Sequence, residues 1–161
     1  MFNVVIEPYS PIYKQDIAEL ILNIQNNEFD IPITLDEQPD LTNIPNFYQT
    51  GKGNFLVAKV DDEVVGTIAL LDIGNDQLAL RKMFVDKNYR GKEYGAGKRL
   101  LDHAIEWAKE KDVKEIYLGT TEKFVAAQRF YEKNGFVEIE KRSFPVMSVD
   151  VKFYRLNLFN I

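Results

Sequence analysis

The stretch from Leu78 to Leu101, LALRKMFVDKNYRGKEYGAGKRLL, constrains this chain more than any other. A mostly apolar strand runs into a short loop dense in Gly, Arg and Lys, and a helix opens directly out of the glycines. The first turn of a helix presents backbone N–H groups without partners and the positive end of the helix dipole, so it attracts anions. Gly91, Gly95 and Gly97 would let a ligand approach the main chain closely, and Arg90, Lys92 and Lys98 add charge of the right sign. A phosphate or pyrophosphate is the expected occupant. A magnesium-dependent phosphate loop of the Gly-x-x-x-x-Gly-Lys-Ser/Thr type is excluded, because five residues separate Gly91 from Gly97 and Arg99 follows Lys98.

The rest of the chain supplies a sheet and its covering helices. Val4 and Ile6 alternate with polar neighbours and predict a first strand, ended by Pro8, Ser10 and Pro11. Ile17, Leu20, Ile21 and Ile24 predict an amphipathic helix over Tyr13–Asn26, with Asn26 and Asn27 as its stop. From Glu28 to Gly53 the prolines predict irregular or briefly helical chain. Glu28, Asp30, Asp36, Glu37 and Asp40 fall there with no Lys or Arg among them, which reads as a solvated loop or as an acidic lip for a cationic substrate. FLVAKV, VVGTIALLDI and QLALRKMFV then form an antiparallel meander, the third strand apolar on both faces apart from Arg81 and Lys82.

After the loop, Leu100, Leu101, Ala104, Ile105 and Ala108 line one face of a helix; His103, the only histidine, sits at the edge of that stripe with no second ligand or nucleophile near it in sequence. EIYLGT is a short strand, Glu122–Asn134 a helix with Phe124, Ala127 and Tyr131 on one side, and Gly135 a left-handed cap. FVEIEK and VDVKFYRLNL close the chain as strands. The expected fold is α/β, with a mixed sheet that passes from an antiparallel meander into a parallel pair and carries helices on both faces.

Composition bounds the function classes. At 161 residues and 45% hydrophobic, with no repeat or linker, residues 1–161 read as one domain. Without cysteine there is no disulfide framework, thiolate metal site or thiol nucleophile. A net charge of -5 argues against general nucleic-acid binding. MFNVVIEPYS has no signal-peptide pattern and no stretch is apolar for a membrane span, so a soluble cytoplasmic protein is expected.

Three segments in this order, FVDKNYRGKEYGAGKRLL, EIYLGT and AAQRFYEKNGFVEIE, resemble the GNAT superfamily of acyl-CoA-dependent N-acetyltransferases, well over about residues 54 to 142. The resemblance implies acetyl-CoA as co-substrate, no metal, and a gap between the strand before the loop and EIYLGT that takes the pantetheine arm. Met83, Phe84 and Val85 would line the arm, with the Val85 N–H as donor to the thioester oxygen. The loop from Arg90 to Lys98, including Gly91, Lys92, Tyr94, Gly95, Ala96 and Gly97, would hold the pyrophosphate. Ala127 and Phe130 would touch the pantetheine or adenine. Compared with the usual family loop, Lys92 stands where Gln or Arg is common, and two residues around Glu93 and Tyr94 are extra.

Acyl transfer to an amine needs a deprotonated nitrogen, a donor to the developing oxyanion and an acid for the departing thiolate. Tyr131 in RFYEKNGF matches the family's acid. The family's frequent glutamate on the strand before the loop is replaced by Ala79, and a common asparagine by Phe124; Glu28, Asp72 and Glu122 stand as bases acting through water. The acceptor is expected to be an amine of a small molecule, peptide or protein. A non-catalytic acyl-CoA sensor is the alternative, and a scaffold pairing through Phe153, Tyr154 and Phe159 is a third. A homodimer is one expectation for the assembly.

Overall fold

Alternation along the strands decides which face each side chain meets. The computed structural model describes residues 3–91 and 93–158. In β2 (Asn54–Val60), Phe55 and Val57 enter one apolar cluster while Leu56 and Ala58 enter another on the opposite face, as the two-residue period of a strand requires. β1 (Val5–Pro8), β2, β3 (Glu63–Gly74) and β4 (Gln77–Val85) pair antiparallel in sequence order. β5 (Glu115–Thr120) joins β4 in parallel. β6 (Val137–Ile139) and β7 (Lys152–Asn157) complete one sheet in the order β1-β2-β3-β4-β5-β7-β6.

Helices cover both faces, as expected. α1 (Lys14–Asn23), α2 (Pro39–Thr42) and α3 (Ile44–Tyr48) bury Ile17, Ile21, Leu41 and Tyr48 against Phe55, Val57 and Ala69. On the other side, α4 (Ala96–Glu110) and α5 (Val125–Lys133) lay Leu100, Leu101, Ala104, Ala108 and Tyr131 on Leu56, Ile68, Leu78 and Ile116. Residues of this kind contribute about 1.5–3 kcal/mol each when removed from water. The first helical segment does not stop at Asn26 and Asn27; a π-helical turn over Ile24–Glu28 extends it, with Phe29 N donating to Ile24 O at 3.1 Å. The aromatic pairing surface is corrected too: Phe153 and Tyr154 are 2% and 0% exposed in the core, and Phe159 lies outside the described residues.

One irregularity shapes the middle of the sheet. Thr67 of β3 faces Phe84 while Ala69 faces Arg81, so β4 carries an extra residue there, a β-bulge that bends the strand and increases its twist. Lys82 sits in the bulge with φ of +50°, a left-handed conformation that costs a side-chain-bearing residue about 1–2 kcal/mol. Its surroundings hold it there. Thr67 Oγ1 donates to the Lys82 carbonyl at 2.7 Å, and Lys82 Nζ donates to Gln38 Oε1 at 2.7 Å and lies 3.6 Å from Asp40 Oδ2. Gln25 and Gln38 exchange amide hydrogen bonds of 2.9 Å, and the Tyr48 hydroxyl donates to Asp40 at 2.6 Å. Burial lowers the Lys82 pKa, against the raising effect of Asp40. Asp40, expected in an exposed acidic lip, is 3% exposed and committed to this network.

Removing one partner of a buried ion pair leaves the other charge uncompensated, at a cost of about 3–5 kcal/mol. Asp40→Ala should therefore lower the unfolding free energy from urea titration by about that amount, with a lower midpoint, and adding Lys82→Met should recover more than half of the loss. A near-neutral Asp40→Ala would show that Lys82 does not depend on this carboxylate.

Candidate active site

The site begins where two strands part. β4 and β5 pair only over Gln77–Ala79 and Glu115–Tyr117, whereas β4 goes on pairing with β3 as far as Val85. Beyond Ala79 the β5-facing edge of β4 therefore has no strand beside it. The bulge at Lys82 lies within this stretch, and its added twist turns the end of β4 away from β5. A cavity of about 110 Å³ occupies the gap, walled by residues 80–84 of β4, residues 118–120 of β5, and Phe124, Ala127 and Tyr131 at α5.

Of the residues expected around the cofactor arm, Met83, Phe84 and Ala127 line this cavity. Met83, Val85, Ala127 and Phe130 pack on the α4–α5 face, whereas Phe84 points into the cluster under α1–α3 and still lines the cavity. A methyl placed on Gly97 would lie 3.7 Å from Met83 Cε and 3.8 Å from both Phe130 Cζ and Val85 Cγ2. The start of α4, the end of β4 and α5 thus meet at one glycine.

The loop is built from turns that need glycine. Gly91 and Gly95 have φ of +101° and +61°, and Gly95 N donates to Gly91 O at 3.0 Å. Arg99 N donates to Gly95 O at 2.9 Å, so the first-turn amides of Ala96, Gly97 and Lys98 precede the helical ladder. Ala96 is buried, and Tyr94 stacks edge-on against Tyr89 at 4.9 Å. Arg90 is engaged elsewhere: its guanidinium forms a two-pronged pair with Glu28, 2.5 and 2.8 Å, and its Nε donates to Val85 O at 2.7 Å. This ties the π-helical turn after α1 to the end of β4. Lys98 bridges Asn134 (2.8 Å) and Asp102 (3.0 Å), linking α4 to the end of α5. Lys92 lies outside the described residues.

Tyr131 forms part of the cavity wall. Its ring packs edge-on to Phe130 and Phe136, at 5.8 and 5.5 Å, and its hydroxyl has no hydrogen-bond partner among the described residues. Burial raises its pKa well above the usual tyrosine range, so it is a proton donor rather than a phenolate. Phe124 stacks edge-on to Phe29 at 4.8 Å, joining α5 to the turn after α1.

The three bases considered from sequence are not brought together. Glu28 holds Arg90, Asp72 accepts from Lys52 N and Gly74 N at 2.9 Å each at the opposite end of β3, and Glu122 is exposed. Sequence reasoning missed Asp150. Its Oδ2 lies 2.5 Å from where a Cβ on Gly119 would stand, and Ser148 Oγ donates to it at 2.7 Å. The only sequence signal was a glycine inside a strand, which marks a close approach. His103 is exposed on α4, and no metal-holding cluster of His, Cys, Asp and Glu occurs among the described residues.

Known proteins of this shape were found by comparison. An acetyltransferase of the GNAT family from Staphylococcus aureus Mu50 is 45% identical and superposes with a TM-score of 0.93, over 97% of this chain and 99% of that one. A PaiA N-acetyltransferase from Thermoplasma acidophilum, crystallised with coenzyme A, has the same fold at a TM-score of 0.76 and 18% identity, over 96% of this chain and 99% of that one. The N-acetylaspartate synthetase of Xenopus tropicalis is 37% identical over 102 residues, 62% of this chain but 37% of the synthetase, so this chain spans little more than a third of that relative's length. The family model for the acetyltransferase (GNAT) family matches residues 18–136, most of the chain, and the chain belongs to that family.

Proposed function

We propose that this protein transfers an acetyl group from acetyl-CoA to a primary amine of a small molecule or peptide, within the single domain formed by residues 1–161. The observation that carries the proposal is the parting of β4 from β5 beyond Ala79, with Tyr131 in the wall of the resulting cavity. Family membership and the relatives' names, acetyltransferases and an N-acetylaspartate synthetase, support the reaction class.

The chain's residues fit such a co-substrate. The free edge of β4 offers backbone groups at Met83 and Val85 to an extended amide-bearing arm, as an added strand would be paired. Gly97, lacking a side chain beside Met83, Val85 and Phe130, leaves the helix start open to a pyrophosphate on the amides of residues 95–98. Arg90 acts by fixing the end of β4 through Val85 O, and Lys98 by fixing α4 to α5. Acetyl-CoA when bound supplies the activated acyl group. The Val85 N–H would polarise the thioester oxygen. Tyr131 holds the proton for the leaving sulfur, and Phe130 and Ala127 exclude water from that side. The acyl-CoA sensor has less support, because the named relatives are acetyltransferases.

Tyr131→Phe should leave acetyl-CoA affinity within about threefold by calorimetry while lowering turnover by roughly 10²-fold. Unchanged turnover would remove the hydroxyl from the reaction. The pH profile gives a separate check. Because burial raises the Tyr131 pKa, the proton needed by the thiolate stays in place through alkaline pH. kcat/KM should rise as the acceptor amine, with a pKa near ~10.4 for a free alkylamine, loses its own proton. No descending limb near pH 10 is expected; one centred there would assign an ordinary tyrosine to the acid role.

A further inference from the structure

The side of the gap opposite α4 and α5 has its own chemistry. Arg81 and Lys82 both line the cavity, and both are directed to the α1–α3 face: Arg81 lies over the Phe47 ring at 5.8 Å, and Lys82 reaches Gln38 and Asp40 of the α2 segment. Their charges are unevenly matched. Asp40 stands 3.6 Å from Lys82, and its other close partner is the Tyr48 hydroxyl. Arg81 forms no ion pair with a carboxylate among the described residues. A guanidinium keeps its charge at any accessible pH, so this wall carries a permanent cation with no carboxylate at ion-pair distance among the described residues. It does so in a chain whose net charge is -5, where an anionic ligand would otherwise be repelled.

From this we propose that the acceptor is an amine that also bears a carboxylate, of the amino-acid class, with Arg81 as the residue that receives the carboxylate. The inference rests on the acetyltransferase proposal and adds the acceptor's chemistry to it. A planar guanidinium offers paired N–H donors matched to a carboxylate, and the Phe47 ring beneath it restricts its motion, so less freedom is lost on binding. Lys82, held in the bulge by Gln38 and paired with Asp40, is not free to swing onto the ligand. Of the acidic residues in the preceding segment, Asp40 is buried against Lys82 and Glu28 is paired with Arg90. A polyamine or a lysine-rich peptide, the acceptors an acidic lip would favour, would meet like charge at Arg81. On the facing strand, Gly119 lines the cavity and the Asp150 carboxylate packs against Gly119.

The test is acetyl-CoA-dependent thiol release with the intact protein over a panel of free amino acids, the matching amino acid amides, and spermidine. A charge-assisted hydrogen bond to the carboxylate predicts that the best amino acid exceeds its own amide by roughly 10- to 100-fold in kcat/KM, mainly through KM, with spermidine slower than either. Arg81→Gln should collapse the acid-to-amide ratio to within about threefold. The acid-to-amide comparison on the unaltered protein needs no variant and so stands even if Arg81→Gln misfolds. Equal rates on acids and amides, or faster turnover of spermidine, would overturn the carboxylate assignment alone. No thiol release with any amine, while calorimetry shows acetyl-CoA bound, would instead overturn the transferase proposal and this inference with it.

Discussion

Everything at this site depends on a single extra residue in a central strand. Were β4 regular, the register that sets Gln77 beside Glu115 would carry its pairing with β5 on as far as Lys82 opposite Thr120. The bulge at Lys82 twists the strand's second half, so that pairing ends at Ala79 and a strip of main chain is left uncovered in the middle of the molecule. Exposed strand edges invite unwanted association, and proteins usually cover them. Here the edge lies inside the fold, between α5 and the segment after α1, where only something slender can reach it. The left-handed backbone at Lys82 is retained because Thr67, Gln38 and Asp40 each hold part of the residue.

The two faces of the sheet divide the work. On the α4–α5 face, apolar contacts and a helix start surround Met83, Val85, Gly97 and Phe130, a setting for a long thin cofactor with an anionic end. On the α1–α3 face, polar and charged groups are buried, with Arg81 over Phe47 and Lys82 among amides. Contacts across the gap keep the faces in register: Phe29 with Phe124, and Glu28 with Arg90, both join the turn after α1 to elements that bound the cavity. The π-helical turn matters for this reason, since it carries Glu28 and Phe29 to that edge.

Much of the architecture could be read from residue order because its signals are local. β4 and β5 matched their apolar runs, and α4 followed directly from glycines and an apolar stripe. Resemblance singled out Tyr131, Met83, Val85, Ala127 and Phe130, and these pack in one apolar cluster. What escaped was non-local. No glycine or proline marks the bulge, because a lysine occupies the left-handed position. Arg90 lay in a basic loop by sequence, yet its carboxylate partner is 62 positions away. Asp40 looked like one exposed acid among several until Lys82 and Tyr48 met it from other elements. Charges that neutralise one another in space cannot be paired from a linear count, and Asp40 and Glu28 are both engaged in such pairs.

The central claim, that the uncovered edge of β4 receives the cofactor arm, is tested most directly by residue-resolved amide hydrogen exchange with and without coenzyme A. The account predicts slowed exchange at Met83 and Val85, at the start of α4, and along residues 118–120 of β5, with the buried pairs of β2 and β3 unchanged. Protection confined to other surfaces, or none at saturating coenzyme A, would contradict it.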